Sequence, residues 1–272
     1  MNNILQRALT GALFVSFIIG ALWFGNKSSF IVITLFFVLG IFEYIRLFKE
    51  SSEIEISSSL TISVCIVIYL IVNLAITSII PGDFTLLLLF ILPILFLMFL
   101  SELWRKKKNP IINIGVMSFP LFYLVIPFSL ILYLNQISSH ENPLVIGMFL
   151  LIWTNDTFAY LSGRFFGKTK LFERISPKKT WEGTIGGIVF TLLVGYLIGM
   201  WGNHNSSAFW MISALIIAPC SIFGDLLESL FKRSLNIKDS GTILPGHGGI
   251  LDRFDATLFT VPFFFTWVLL YN

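Results

Sequence analysis

Residues 221–255 read SIFGDLLESLFKRSLNIKDSGTILPGHGGILDRFD. The stretch gathers five carboxylates, Asp225, Glu228, Asp239, Asp252 and Asp255. It also holds four cations, Lys232, Arg233, Lys238 and Arg253, and a histidine among glycines, His247. The chain around it is 56% hydrophobic and only 12% charged. Apolar runs of membrane-spanning length flank it, at 208–231 and 250–270. The stretch therefore reads as a charged connection between two transmembrane helices. Two explanations compete for that much charge: an ordinary solvated loop, or a site that handles an anionic, metal-bound substrate.

The pattern favours the second. Asp225, Glu228, Ser229 and Lys232 recur at i, i+3, i+4 and i+7, which puts them on one polar stripe of a helix. Ser221 extends that stripe back by one turn. Leu226, Leu227, Leu230 and Phe231 lie off it and can face lipid or neighbouring helices. Pro245-Gly246-His247-Gly248-Gly249 is a loop that side chains hardly obstruct. Glycine lets a backbone come close to a ligand, and its N–H groups suit an anion-binding nest. Asp252 and Asp255 stand three apart, on one face of the helix that follows. Paired carboxylates at a helix mouth suit hard cations such as Mg²⁺, which bridge to phosphates. A lone interfacial Asp or Lys is ordinarily just solvated. A whole constellation at membrane depth is costly and marks function.

These same residues carry a resemblance. Ser229-Leu-Phe-Lys232-Arg233, Lys238-Asp239-Ser-Gly241, Leu-Pro245-Gly-His247-Gly248-Gly249 and Leu-Asp252-Arg253-Phe-Asp255 resemble the signature of phosphatidate cytidylyltransferases, the CDP-diacylglycerol synthases of membrane lipid synthesis. An upstream block is similar to the family as well. It runs from Asn155-Asp156-Thr-Phe-Ala159-Tyr160 through Gly163-Arg164 and Gly167-Lys168 to Ser176-Pro177-Lys178-Lys179-Thr180-Trp181-Glu182-Gly183. The resemblance covers about residues 155–255. The first hundred or so residues show only the family's general habit of being membrane helices.

The resemblance implies CTP and phosphatidic acid as substrates and CDP-diacylglycerol and pyrophosphate as products. It implies Mg²⁺ as cofactor, with a second, monovalent cation left open. In that chemistry the lipid phosphate attacks the α-phosphorus of CTP, so two anions must meet. Metal ions bridge attacking and leaving oxygens in such in-line displacements, and Lys and Arg clamp phosphates. No covalent enzyme intermediate and no strong general base are required. The resemblance implies Asp225, Asp252 and Asp255 as metal ligands, with Asp225 and Asp252 sharing one cation. Lys232, Arg233, Lys238 and Arg253 become the phosphate contacts, and Lys178 and Lys179 a second clamp. Gly248, Gly249 and Asp239 fall in the nucleotide-side loop. His247 either hydrogen-bonds a phosphate, orients an aspartate, or is a structural loop histidine. Asp156 sits deep in an apolar run, where an unpaired carboxylate is expensive. It is read as lining the polar cavity, ahead of pairing with Arg164 or binding a cation. Asn155, Tyr160 and Trp181 are candidates to hold the base or lipid, and Thr180 a cap for the helix after it.

The rest of the chain reads as membrane protein throughout. Its mean hydropathy is +0.87, and phenylalanine alone occurs 29 times in 272 residues. Nine apolar runs qualify as spans: 8–24, 30–48, 60–80, 84–100, 114–134, 144–162, 182–201, 208–231 and 250–270. The expected fold is all-α: one polytopic helical bundle over 1–272, with N-terminal helices in 1–140 and a catalytic half in 141–272. Pro81-Gly82-Asp83 makes a tight turn between the third and fourth runs. Pro93, Pro120 and Pro127 interrupt apolar runs and invite kinks. The run after Arg7 is longer than a signal peptide's apolar core and lacks a small-residue cleavage pattern, so it reads as a retained helix. Cys65 and Cys220 fall inside apolar runs, as inert buried side chains.

Placing the N-terminus in the cytoplasm and alternating puts every basic residue except Lys27 on the cytoplasmic side. That is a strong positive-inside bias. It predicts a C-terminus on the far side and both motif blocks facing the cytoplasm, in a cytoplasmic (inner) membrane of a bacterium. Arg105-Lys-Lys-Lys108 reads as a topology signal touching anionic headgroups. Partners are therefore membrane lipids and not nucleic acid, and a homodimer is left open. Gly183, Gly187, Thr191, Gly195 and Gly199 form a small-residue stripe for close helix packing, in this chain or against another. A nucleotide-dependent lipid or polyprenol kinase is the rival enzyme reading. An ion-coupled transporter is the rival without chemistry, although no paired halves with broken helices are evident.

Overall fold

The computed structural model describes residues 3–48, 54–77, 82–138, 143–201, 206–235, 237, 240–241 and 248–271. Among them lie nine helices: α1 (Asn3–Trp23), α2 (Asn26–Phe48), α3 (Ser58–Ile76), α4 (Thr85–Arg105), α5 (Pro110–Ile137), α6 (Leu144–Phe166), α7 (Trp181–Trp201), α8 (Ser207–Ser234) and α9 (Leu251–Tyr271). Each expected span falls on one of them. Eight of the described helices, α2 to α9, are long and apolar enough to cross a membrane, and α1 adds the apolar stretch Thr10–Trp23. The protein is a polytopic helical membrane protein.

The prolines act on winding as well as direction. Helix α4 starts as a 3₁₀ turn, Thr85–Phe90, and becomes α-helical from Ile91. Pro93 therefore lies in the first α turn, where its missing N–H has no intrahelical partner to lose. Helix α5 is α-helical over Pro110–Pro120, π-helical over Leu121–Val125, and α-helical again over Ile126–Ile137. Pro120 and Pro127 bracket the π turn. Wider winding relieves the ring's clash with the preceding turn and absorbs the absent donor. Of the expected turn 81–83, Pro81 lies outside the described residues, and Gly82 adopts φ +141°, a conformation that favours glycine.

The chain forms two compact units, Met1–Gln136 with Asp239–Arg253, and Ile137–Lys238 with Phe254–Asn272. In the first, Phe37 of α2 stacks on Tyr69 of α3 with centroids 4.1 Å apart, and Phe128 of α5 meets Phe37 edge-on. Hydrogen bonds tie the same helices together. Asn73 Nδ2 donates to Ser129 Oγ at 2.9 Å, and Asn135 Nδ2 to Ser29 Oγ at 2.9 Å. Where apolar surface alone gives helices no reason to prefer one another over lipid, such bonds and close packing select partners.

The basic cluster of this unit is more than a headgroup contact. Arg105 pairs with Glu102, which is buried, and its Nη2 donates to the Glu55 carbonyl at 2.6 Å. Lys107 pairs with Glu55, and the ammonium holds that carboxyl below the usual range. Glu55 N donates to Asn113 Oδ1 at 2.9 Å. Together these bonds fasten the segment before α3 to the α4–α5 turn. Arg105→Ala is therefore expected to cost about 1–2 kcal/mol, because it strips a buried carboxylate of its partner. Lys108→Ala, at an exposed position, should change little. Thermal unfolding of the two variants in detergent separates the effects, and equal shifts would contradict the pairing argument.

In the second unit, α7 is the middle helix of a run, packing along α6 and along α8. Its small-residue stripe is divided between them. A Cβ at Gly183 would meet the Ala159 carbonyl at 2.7 Å, and one at Gly187 the Ala159 Cβ at 3.0 Å, both on α6. A Cβ at Gly195 would meet the Trp210 carbonyl of α8 at 2.6 Å. The partners of the stripe are thus helices of the same chain. Two short strands precede α7: β1 (Lys170–Phe172) pairs antiparallel with β2 (Ser176–Thr180), Lys170 opposite Thr180 and Phe172 opposite Ser176.

Candidate active site

The second unit holds a ladder of ion pairs. Helix α8 buries Ile217, Ala218, Ile222 and Leu226, and the expected polar stripe runs along its length. At its first rung Ser221 Oγ accepts from Asn155 Nδ2 of α6 at 2.7 Å and donates to the Ala218 carbonyl at 2.9 Å. One turn on, Asp225 Oδ2 meets Lys179 Nζ of β2 at 2.7 Å, and Oδ1 accepts from Ser229 Oγ at 3.3 Å. Lys179 Nζ also donates to the Ile222 carbonyl at 3.3 Å. In the next turn Lys232 Nζ meets Glu228 Oε2 at 3.0 Å. Asp255 of α9 completes the group. Its Oδ1 accepts from Ala256 N at 2.6 Å. It lies beside Glu228, and the charges of Asp225 and Lys232 act on it.

Gly224 is what lets these carboxylates assemble. A Cβ there would meet the Asp255 carbonyl at 2.7 Å, Ala256 Cα at 2.9 Å and Phe259 Cβ at 2.9 Å. Helices α8 and α9 therefore cross backbone to backbone beside Asp225 and Asp255, an approach that any side chain would prevent.

The hairpin aims one lysine and turns the other away. The pairing is irregular between Lys170–Thr180 and Phe172–Ser176, and in that segment Lys179 reaches α8 while Lys178 is exposed. Thr180 Oγ1 accepts from Gly183 N at 3.2 Å and caps α7, as expected. The Glu182 carboxylate accepts from Lys168 N and Thr169 N, each at 3.1 Å, and Trp181 N donates to the Thr169 carbonyl at 3.0 Å. Asp156 is exposed on α6, whereas its neighbour Asn155 is buried against α8. Arg233, Arg253, Tyr160 and Trp181 are exposed.

The first unit holds a second polar cluster, around the start of α9. Asp252 Oδ2 accepts from Ser240 N at 3.0 Å and from Gly249 N at 2.8 Å, so it draws the two ends of the glycine loop together. Gly248 adopts φ +81°, and a Cβ there would press on the Asp252 carboxylate. Glu43, in the apolar run of α2, is 3% exposed, and its Oε2 accepts from Leu251 N at 2.9 Å. The sequence reading passed over Glu43. The signal was present: a carboxylate in the middle of Phe-Glu43-Tyr-Ile, at membrane depth, is a functional candidate by default. Lys238, Asp239 and His247 lie outside the described residues. Asp225 belongs to the second unit and Asp252 to the first.

Among the described residues no group of three or more His, Cys, Asp or Glu side chains forms a ready-made metal cage. The donors that are present still suit Mg²⁺. That ion keeps several waters and takes one or two carboxylates plus substrate phosphates, unlike Zn²⁺ or Ca²⁺, which want fuller protein shells.

Known proteins match this chain in sequence. The sequence profile of the Cytidylyltransferase family matches residues 5–271. A phosphatidate cytidylyltransferase of Rickettsia prowazekii (strain Madrid E) is 41% identical over 174 residues, 61% of this chain and 74% of that protein. One of Haemophilus influenzae is 38% identical over 176 residues, 60% of this chain and 59% of that protein. One of Staphylococcus saprophyticus is 44% identical over 133 residues, 48% of this chain and 51% of that protein. The aligned part thus spans between half and three quarters of these relatives. With the ion-pair ladder and the profile match together, the chain belongs to the cytidylyltransferase family.

Proposed function

We propose that this protein is a phosphatidate cytidylyltransferase, joining CTP to phosphatidic acid to give CDP-diacylglycerol and pyrophosphate. The observation that carries the proposal is the ladder on α8, where Lys179 pairs with Asp225 and Lys232 with Glu228, beside Asp255 of α9. Its two lysines, with a divalent cation on the carboxylates, would neutralise two phosphates without a protein nucleophile, which is the demand of this reaction. The family match leaves the kinase and transporter readings without support.

In this proposal Asp225 and Asp255 hold Mg²⁺, and Asp252 is a ligand on the resemblance alone. The ion would supply positive charge to the attacking and leaving oxygens. The residues do the rest. Lys179, paired with Asp225, and Lys232, paired with Glu228, are the cations that would turn to substrate phosphate. Each lysine thus has a resting partner that keeps it extended before substrate arrives. Arg233 and Arg253 add phosphate contacts at exposed positions. Asn155 is buried and bonded to Ser221, so its part is to fix α6 against α8 and orient the ladder. Lys178, Gly248, Gly249 and Asp156, with Lys238, Asp239 and His247, stay assigned to substrate by the resemblance. A second, monovalent cation and a homodimer remain part of the proposal, as does a bacterial inner membrane with the site facing the cytoplasm.

Two measurements test this reading. Purified protein in detergent, given phosphatidate, Mg²⁺ and each nucleoside triphosphate in turn, is expected to release pyrophosphate and form a CDP-lipid with CTP or dCTP, and to do so poorly with ATP or GTP. Lipid-dependent release of the γ-phosphate of ATP would instead establish a kinase. A reporter fused after Asn272 should lie on the non-cytoplasmic side. A cytoplasmic signal would overturn the nine-span orientation drawn from the basic residues.

A further inference from the structure

We propose that Glu43 is a positioning residue for the reaction, holding Asp252 and the glycine loop in place from within the second membrane span. The inference rests on the cytidylyltransferase reading of the protein. It assigns to α2 a part in a site whose other members come from residues 155–255.

Three observations on separate groups converge on this carboxylate. Its Oε2 accepts from Leu251 N at 2.9 Å. Leu251 opens α9, so the bond satisfies one of the orphan donors of the helix's first turn, at the positive end of its dipole. Glu43 thereby caps α9 one residue before Asp252. The same oxygen stands 3.5 Å from Ser240 Oγ, and Ser240 N is bound by Asp252. Glu43 and Asp252 therefore grip one segment from two sides. Finally, the loop's glycines are shaped around Glu43. A Cβ at Gly241 would fall within 3 Å of Glu43 Cδ, at 2.9 Å, and its nearest atoms are all of Glu43. A Cβ at Gly249 would meet Glu43 Oε1 at 2.7 Å. A backbone this close to a buried side chain is possible only where residues have no side chain of their own.

An ionisable group 3% exposed in an apolar helix is expensive to keep. Other capping groups are cheaper: a serine or asparagine from the loop itself would satisfy Leu251 N equally well. What a long acidic side chain from another helix adds is a fixed point outside the loop. The loop then inherits the position of α2, and Asp252 cannot drift with the glycines beside it. Preorganisation of this kind shows in turnover more than in substrate affinity.

The test uses the full chain in detergent, with Glu43→Ala, the isosteric Glu43→Gln, Gly241→Ala, and the double variant Glu43→Ala/Gly241→Ala. Two readouts are taken. Hydrogen exchange over 240–253 in Glu43→Ala is expected to quicken about tenfold or more, with α6 to α8 unchanged. Under CTP and phosphatidate, kcat is expected to fall about 100-fold in Glu43→Ala and about tenfold in Glu43→Gln, which keeps one acceptor, with KM for CTP within about threefold. Gly241→Ala alone should cost about tenfold in kcat, since its methyl presses on the carboxylate. Added to Glu43→Ala, it should cost less than about twofold, because the obstruction is gone. Unchanged exchange over 240–253, or quickened exchange with wild-type kcat per folded molecule, would overturn the proposal. If the wild-type protein makes no CDP-lipid, the functional reading fails and with it Glu43's part in that reaction. The exchange readout then still decides whether Glu43 holds the loop.

Discussion

Asp225→Asn is expected to slow CDP-lipid formation by about 10²–10³-fold, a loss of about 3–4 kcal/mol in transition-state stabilisation. Asparagine keeps the size of the side chain and an acceptor for Ser229. It removes the charge that Lys179 meets at 2.7 Å and that acts on Asp255. Folding should survive, since Asp225 is half-buried and Lys179 also donates to the Ile222 carbonyl. The decisive measurement is initial rate against Mg²⁺ concentration. A metal ligand lost should raise the Mg²⁺ requirement as well as lower the maximum rate. Lys179→Met should lower the rate without raising the Mg²⁺ requirement, because it takes away a phosphate partner and leaves both carboxylates. The double variant should be little worse than Asp225→Asn, since groups that act as a unit are not additive. Near-normal turnover of Asp225→Asn at ordinary Mg²⁺ would remove the metal role and leave Asp225 as the structural partner of Lys179.

Gly224→Ala is expected to be a strongly damaging conservative change in the second unit. The added methyl would meet a carbonyl oxygen, a Cα and a Cβ, all within 3 Å. None of these is the end of a flexible side chain, so relief requires α8 and α9 to part. Overpacking of that kind costs about 1–3 kcal/mol, and occasionally more. It should also separate Asp255 from Asp225 and Glu228, and so lower activity beyond the loss of folded protein. Gly115→Ala is the control. A Cβ at Gly115 meets nothing within 4 Å, and alanine is the better helix former, so stability should hold or rise slightly. The comparison is made by thermal unfolding in detergent and by rate per folded molecule. A Gly224→Ala protein as stable as wild type would show that the crossing tolerates a wider gap.

The spans were legible because lipid demands long apolar runs, and that signal survives in any single sequence. The polar stripe on α8 was legible for the same kind of reason: its period is that of the helix. What the period could not say is which partner each rung takes. Lys179 faces Asp225 only because a hairpin turns it there, and strands of three and five residues rich in lysine carry no apolar alternation to announce them. The division of the α7 stripe between α6 and α8 is likewise a property of packing, which spacing leaves open. Asp156 and Asn155 show the limit from the other side. Both sit at membrane depth in sequence, yet one residue of helical rotation buries Asn155 and exposes Asp156. Arg105 looked like part of a uniform basic cluster because its partner, Glu102, is hidden in the preceding turn.

The hairpin has a consequence for how the protein can change over generations. Lys178 and Lys179 are adjacent on β2, in the irregular part of its pairing with β1, and one reaches Asp225 while the other is exposed. A strand that slips by one residue exchanges its faces. Such a slip, which would ruin most strands, would here present Lys178 to Asp225 in place of Lys179. The doubled lysine thus works as insurance: the site keeps a cation whichever of two neighbouring alignments the hairpin adopts. A single-residue insertion between Phe172 and Ser176 is, on this view, a survivable event, with the second lysine as the reason, whereas a deletion would bring Thr180 to that place.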